Sequence, residues 1–132
     1  MPIVRGPFEV TLTPQPADAR EAAAFLGRLN IDKQFHGALE ATSVGQMIAA
    51  RGERPESAGY AALERVTGTL DGRAGSFILQ HSGHSSPAGQ SLDVNVVADS
   101  GTGELAGLAG TMRIVIEAGG RHFYEFDYTL AS

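Results

Sequence analysis

The 132-residue chain has no cysteine. That absence removes disulfides, thiolate catalysis and zinc sites built on cysteine ligands. It suits a reducing cytoplasm, and a cytoplasmic location is the expectation. Lysine is nearly absent as well: Lys33 stands alone beside scattered arginines, and the formal net charge is −5. Without a cluster of Lys and Arg, nucleic acid is not an expected partner. No apolar run comes near the roughly 20 residues of a spanning helix, so no membrane partner is expected. The N-terminus shows no basic stretch followed by an apolar one, and no signal segment is read there. Catalytic and cofactor signatures are missing too. The chain holds no H-x-H pair, no helical H-E-x-x-H, no Walker or dinucleotide loop and no G-x-S-x-G elbow. Neither a metal nor a cofactor is expected.

Glycine, by contrast, is plentiful. The 17 glycines exceed the usual share of about 7% and fall at turn-like spacings, which points to many short strands with tight connections. The length fits one domain over residues 1–132, with room for a full core that needs no staple.

Alternation places the strands. Pro7 to Thr13 sets Phe8, Val10 and Leu12 on one side. Prolines 14 and 16 end that strand, and Ala17 to Leu26 has the composition of one short helix lying over a barrel mouth or edge. Leu29 to Phe35 puts Leu29, Ile31, Lys33 and Phe35 together. Leu39 to Ala50 reads as a long strand with a bulge at Gly45. Tyr60 to Gly83 reads as one hairpin turning at Asp71-Gly72, a dipeptide that tolerates positive φ. A two-residue loop there sets Leu70 opposite Arg73, Val66 opposite Phe77, Glu64 opposite Leu79 and Ala62 opposite His81. A Gly/Ser/Pro loop over 83–89 follows, then a strand from Leu92 to Ala98 and a turn-rich connection from Asp99 to Gly110. Thr111 to Glu117 and Arg121 to Leu130 form the last hairpin. A three-residue loop at Ala118-Gly119-Gly120 keeps its apolar residues on one face, aligning Ile116 with His122, Ile114 with Tyr124 and Met112 with Phe126. Eight antiparallel strands in hairpin order close most simply into an all-β, eight-stranded barrel, whose interior can hold one small ligand.

The stretches Ala62 to Gly83 and Asp99 to Gly110 resemble the bacterial domain-of-unknown-function family 3224, whose barrels are similar to plant allene oxide cyclase. Gly6 to Val10, Asp32 to Ser43 and His122 to Tyr128 fit the same pattern. The resemblance implies an eight-stranded barrel with a central cavity, and homo-oligomers among relatives. It implies no established activity, and no cyclase catalytic residue carries over.

Glu64 and His81 fall as diagonal neighbours on the apolar face of the central hairpin and are the two catalytic candidates. A carboxylate among Val66, Phe77 and Leu79 is expected to have its pKa raised by desolvation, as suits an acid or base near neutrality. The plainer reading closes Glu64 into a buried network with Lys33 or His81. Lys33 either points inward, to meet an anionic group or form a Schiff base, or packs its stem and snorkels to the mouth, the favoured reading. Tyr60, Tyr124, Tyr128, Phe77 and Phe126 supply aromatic surface on inward faces. They suit either a ligand or a solid core. The expected ligand contacts are Lys33, Tyr60, Glu64, Phe77, His81, Tyr124 and Phe126. His36, His84 and His122 do not combine with His81 into metal spacing.

Three readings stay open at this point. The first is a barrel that binds a small apolar or aromatic ligand. The second is a cofactor-free isomerase or cyclase in the same cavity. The third is a structural or interaction protein with a filled interior.

Overall fold

The computed structural model describes residues 3–130, and these form a closed antiparallel barrel in the order β1 to β8. The strands are β1 (Ile3–Pro14), β2 (Leu26–Phe35), β3 (Leu39–Arg51), β4 (Ala58–Leu70), β5 (Arg73–Ser86), β6 (Gly89–Val96), β7 (Ala109–Glu117) and β8 (Arg121–Thr129). A short helix, α1 (Ala19–Ala24), joins β1 to β2, and one 3-10 turn (Gly103–Leu105) lies between β6 and β7. No helix among the described residues is long and apolar enough to cross a membrane.

Turn chemistry sets the register of the central hairpin. Asp71 at φ 48° and Gly72 at φ 82° supply the left-handed pair that a two-residue hairpin loop needs. The four pairs read from the sequence, Leu70 with Arg73 through Ala62 with His81, are all present. The last hairpin turns through three residues, so Ile116 meets His122, Ile114 meets Tyr124 and Met112 meets Phe126.

Two segments depart from the sequence reading. Gly45 makes no bulge: β3 runs unbroken, with Gly45 opposite Ile31 on one side and Glu64 on the other. The reason for glycine here is space. A Cβ at position 45 would lie 2.3 Å from the Leu63 carbonyl oxygen and 2.7 Å from Glu64 Cα. The stretch 83–89 is mostly strand rather than loop, because β5 continues to Ser86 and only Pro87 and Ala88 turn. Its glycine and serines pair with β6 as a ladder, and the ring of Tyr60 lies over Gly83.

The interior divides across the barrel axis. At one end Phe35, Leu39, Val66, Phe77, Tyr124 and Phe126 are buried together. Leu105 and Leu108, from the connection after β6, cap this end. That connection also takes the place of a strand beside β5: Ile78 accepts from Val97 N–H at 2.9 Å, and Ser76 accepts from Thr102 N–H at 2.8 Å. The other end carries α1 and the 87–88 and 118–120 turns, and it is not filled. Its inward apolar side chains stay wet, with Ile116 at 64% exposure and Leu12 at 44%. The wall is thinnest there as well. β6 and β7 are joined by one residue pair, Asn95 with Thr111, whereas β4 and β5 are paired from Ala58 to Ser85 along their whole length.

Candidate ligand site

Between the packed end and the open end lies a polar layer built from four strands. Glu64 of β4 is its centre, at 1% exposure. Lys33 of β2 donates from Nζ to Glu64 Oε2 at 2.8 Å, and Ser43 of β3 donates from Oγ to Oε1 at 2.6 Å. The Nε2 of His81, on β5, lies 2.5 Å from Oε2. Because Glu64 is a carboxylate, that ring nitrogen carries the proton and donates. Register explains the meeting. Lys33 faces Ser43 across β2 and β3, and Glu64 sits opposite Gly45, whose missing side chain lets the carboxylate lie close to β3.

The electrostatics run against the expectation of a raised carboxyl pKa. Burial does push Glu64 upward, but the hydrogen bond from His81 and the Lys33 ammonium outweigh it and hold the carboxyl at about 2. With three donors on its two oxygens, Glu64 is a permanent anion and a poor proton acceptor near neutral pH. The closed ion-pair network, the plainer of the two sequence readings, describes this geometry. Lys33 does not snorkel. Its ammonium turns inward and stands over the rings of Phe8, at 5.2 Å from the centroid, and Phe35, at 5.7 Å. A cation that leaves water is compensated here by one carboxylate and two aromatic faces.

Above this layer is a cavity of about 210 Å³. Phe8, Val10, Ile31, Met47, Ala62 and Ile114 make its apolar wall. Lys33, Tyr60, His81 and His122 also line it, whereas Glu64 lies behind them and does not. The cavity widens into a vestibule of about 500 Å³ at the open end. Met47, Tyr60, Leu92, Ile114 and Ile116 line both, so the two are continuous past the thin β6–β7 seam.

Of the residues singled out from sequence, Lys33, Tyr60 and His81 therefore meet at the cavity, with Glu64 bracing two of them. Phe77, Tyr124 and Phe126 lie elsewhere, in the packed half. Phe77 stacks on Phe126 at 5.8 Å between ring centres. The Tyr124 hydroxyl is taken up by backbone, accepting from Leu39 N–H at 3.0 Å and donating to the His36 carbonyl at 2.8 Å. Tyr128 bonds the Asp71 carboxylate and closes the same end. These rings are on inward faces, as alternation requires, but at the wrong height along the axis. Sequence reasoning passed over Ser43, Phe8 and His122. Ser43 shares the inward parity of Leu39 and Ala41, which is the one signal that marks it.

Residues 4–128 match a family model described as "Protein of unknown function (DUF3224)". A solved structure of a DUF3224 protein of unknown function from Shewanella oneidensis MR-1 is similar over the whole chain. The identity is 48%, all of this chain and 98% of the other are covered, and the TM-score is 0.92. No curated protein matches the chain.

Proposed function

The chain belongs to the DUF3224 family, and from its half-hollow barrel we propose that it binds a small, mostly apolar molecule. One observation carries this reading: an apolar cavity, reached from a wider vestibule, ends on a polar floor of Lys33 and His81. Ligand sites combine these traits, an apolar wall for affinity and a few fixed polar groups for orientation. Tyr60 adds a third polar contact. Burial pushes its phenol up, and the charge of Glu64 pushes it further, so the hydroxyl keeps its proton.

A cofactor-free isomerase in the same cavity would need Glu64 as its base. A carboxyl held at about 2 and occupied by three donors argues against that role, so binding is the better-supported reading. Native mass spectrometry of protein purified from its own host tests it. The expected spectrum carries an added small-molecule mass that is lost on denaturation. A bare chain mass across several growth conditions would argue against a high-affinity carrier.

A further inference from the structure

The polar side chains at the cavity lining are weighted toward donors, although His81 spends its Nε2 proton on Glu64 and has a second to give only once the ring is protonated. Lys33, His81, Tyr60 and His122 are there, and no carboxylate is among them. Glu64, the one fully buried carboxylate among the described residues, stands behind this layer with both oxygens taken. The complementary ligand has an apolar body and ends in acceptor oxygens. Charge then narrows the choice. Lys33 and Glu64 cancel each other at 2.8 Å, so the floor has donors in excess but no uncompensated cation. A carboxylate seated on this buried floor, where the Lys33 and His81 side chains are 6% and 5% exposed, leaves an unpaired negative charge unless a proton comes with it. Two places can take that proton: the His81 ring or the ligand's own carboxyl. His81, on β5, faces Glu64 and Tyr60 of β4, Lys33 of β2 and His122 of β8, while its β6 neighbour is the uncharged Val94.

We propose that the ligand is a small monocarboxylic acid with an apolar tail, seated on Lys33 and His81, and that it enters with one proton. The proposal rests on the binding reading above and gives it a chemical class. The size of the cavity, about 210 Å³, suits a short chain whose tail extends into the vestibule.

Calorimetric titration of the full chain with octanoate, and with octanamide as the neutral twin, tests it. At about pH 6 octanoate should bind at least about tenfold more tightly than the amide. Its affinity should then fall by up to about tenfold per pH unit on going alkaline, while the amide stays flat. Repeating the titration at about pH 8 in buffers of different ionisation enthalpy should count one proton taken up per acid bound. The double variant Lys33→Met/Glu64→Gln keeps the interior neutral. It should lose at least about tenfold for the acid and little for the amide. The wild-type titrations decide the matter even if that variant does not fold. Equal binding of acid and amide without proton uptake overturns the acid head group and leaves the barrel a binder. No binding of either overturns the inference, and the mass measurement above then decides the binder reading separately.

Discussion

Glu64→Gln removes one charge from a layer that is neutral only as a set. The Lys33 ammonium, 6% exposed on its side chain, would remain buried against an amide. Breaking a buried pair from one side typically costs about 3–5 kcal/mol, whereas removing both charges costs far less. Urea denaturation should therefore show Glu64→Gln losing several kcal/mol and the Lys33→Met/Glu64→Gln pair losing less than the sum of its parts. A loss below about 1 kcal/mol for Glu64→Gln alone would contradict the buried-pair account. The acid limb follows from the same carboxyl. Its folded pKa, about 2, lies below the ordinary 4.5, so the unfolded chain binds the proton first as the pH falls. The stabilisation is complete above about 4.5 and disappears as the pH drops toward about 2. It amounts to about 3 kcal/mol. Denaturation midpoints measured along that interval should fall steeply in the wild type and much less in Glu64→Gln.

Strand pairing positions these side chains, and β3 is the strand on which most depends. It pairs with β2 and β4 without a slip, so its inward residues Ser43, Gly45 and Met47 lie beside Lys33, Glu64 and Ala62 in turn. Gly45→Ala puts a methyl where the Leu63 carbonyl and Glu64 Cα already are, at 2.3 Å and 2.7 Å. Both neighbours are backbone and cannot rotate away. The expected outcome is a loss of about 1–3 kcal/mol, together with lengthening of the Lys33–Glu64 contact in a crystal structure of the variant. A variant of wild-type stability would mean that β3 and β4 can separate more easily than their continuous ladder suggests.

Across the whole molecule the barrel is solid at one end and hollow at the other, and substitutions should report the difference. Leu79→Ala opens a void among fully buried neighbours, so a loss of about 2–5 kcal/mol is expected. Ala62→Leu adds volume to a wall of the cavity instead, and stability should change by less than about 1 kcal/mol. The same variant should lose the co-purifying mass, because its longer side chain occupies the space proposed for the ligand. Thermal unfolding and native mass spectrometry of the two variants together check both halves of this contrast. Among the described residues β6 and β7 share no pair toward the hollow end, their single one, Asn95 with Thr111, lying beside the 97–108 connection. Side chains facing that seam have no opposite partner to pack against, which is why Leu92 and Ile116 stay exposed on an inward face.

The period of two and the turn residues carried most of the fold before any coordinates. Asp71-Gly72 and Ala118-Gly119-Gly120 fixed two hairpin registers, and alternation set Glu64 and His81 on an inward face and Lys33 beside Ile31 and Phe35, with its ammonium expected at the mouth. Those are local properties, decided by backbone sterics within a few residues. Height along the barrel axis is not local. It depends on how eight strands stagger when they close, and so Tyr124 and Phe126 went to the solid end while Tyr60 went to the cavity. The state of Glu64 is likewise a matter of company. Burial, legible in the apolar neighbours of position 64, pushes the carboxyl up. The reversal comes from Lys33 and His81, brought within hydrogen-bond reach from strands 31 and 17 residues away. His81 arrives by the hairpin register, but Lys33 reaches Glu64 only once β2, β3 and β4 pair side by side and curl inward, because electrostatic energy depends on distance in space rather than along the chain.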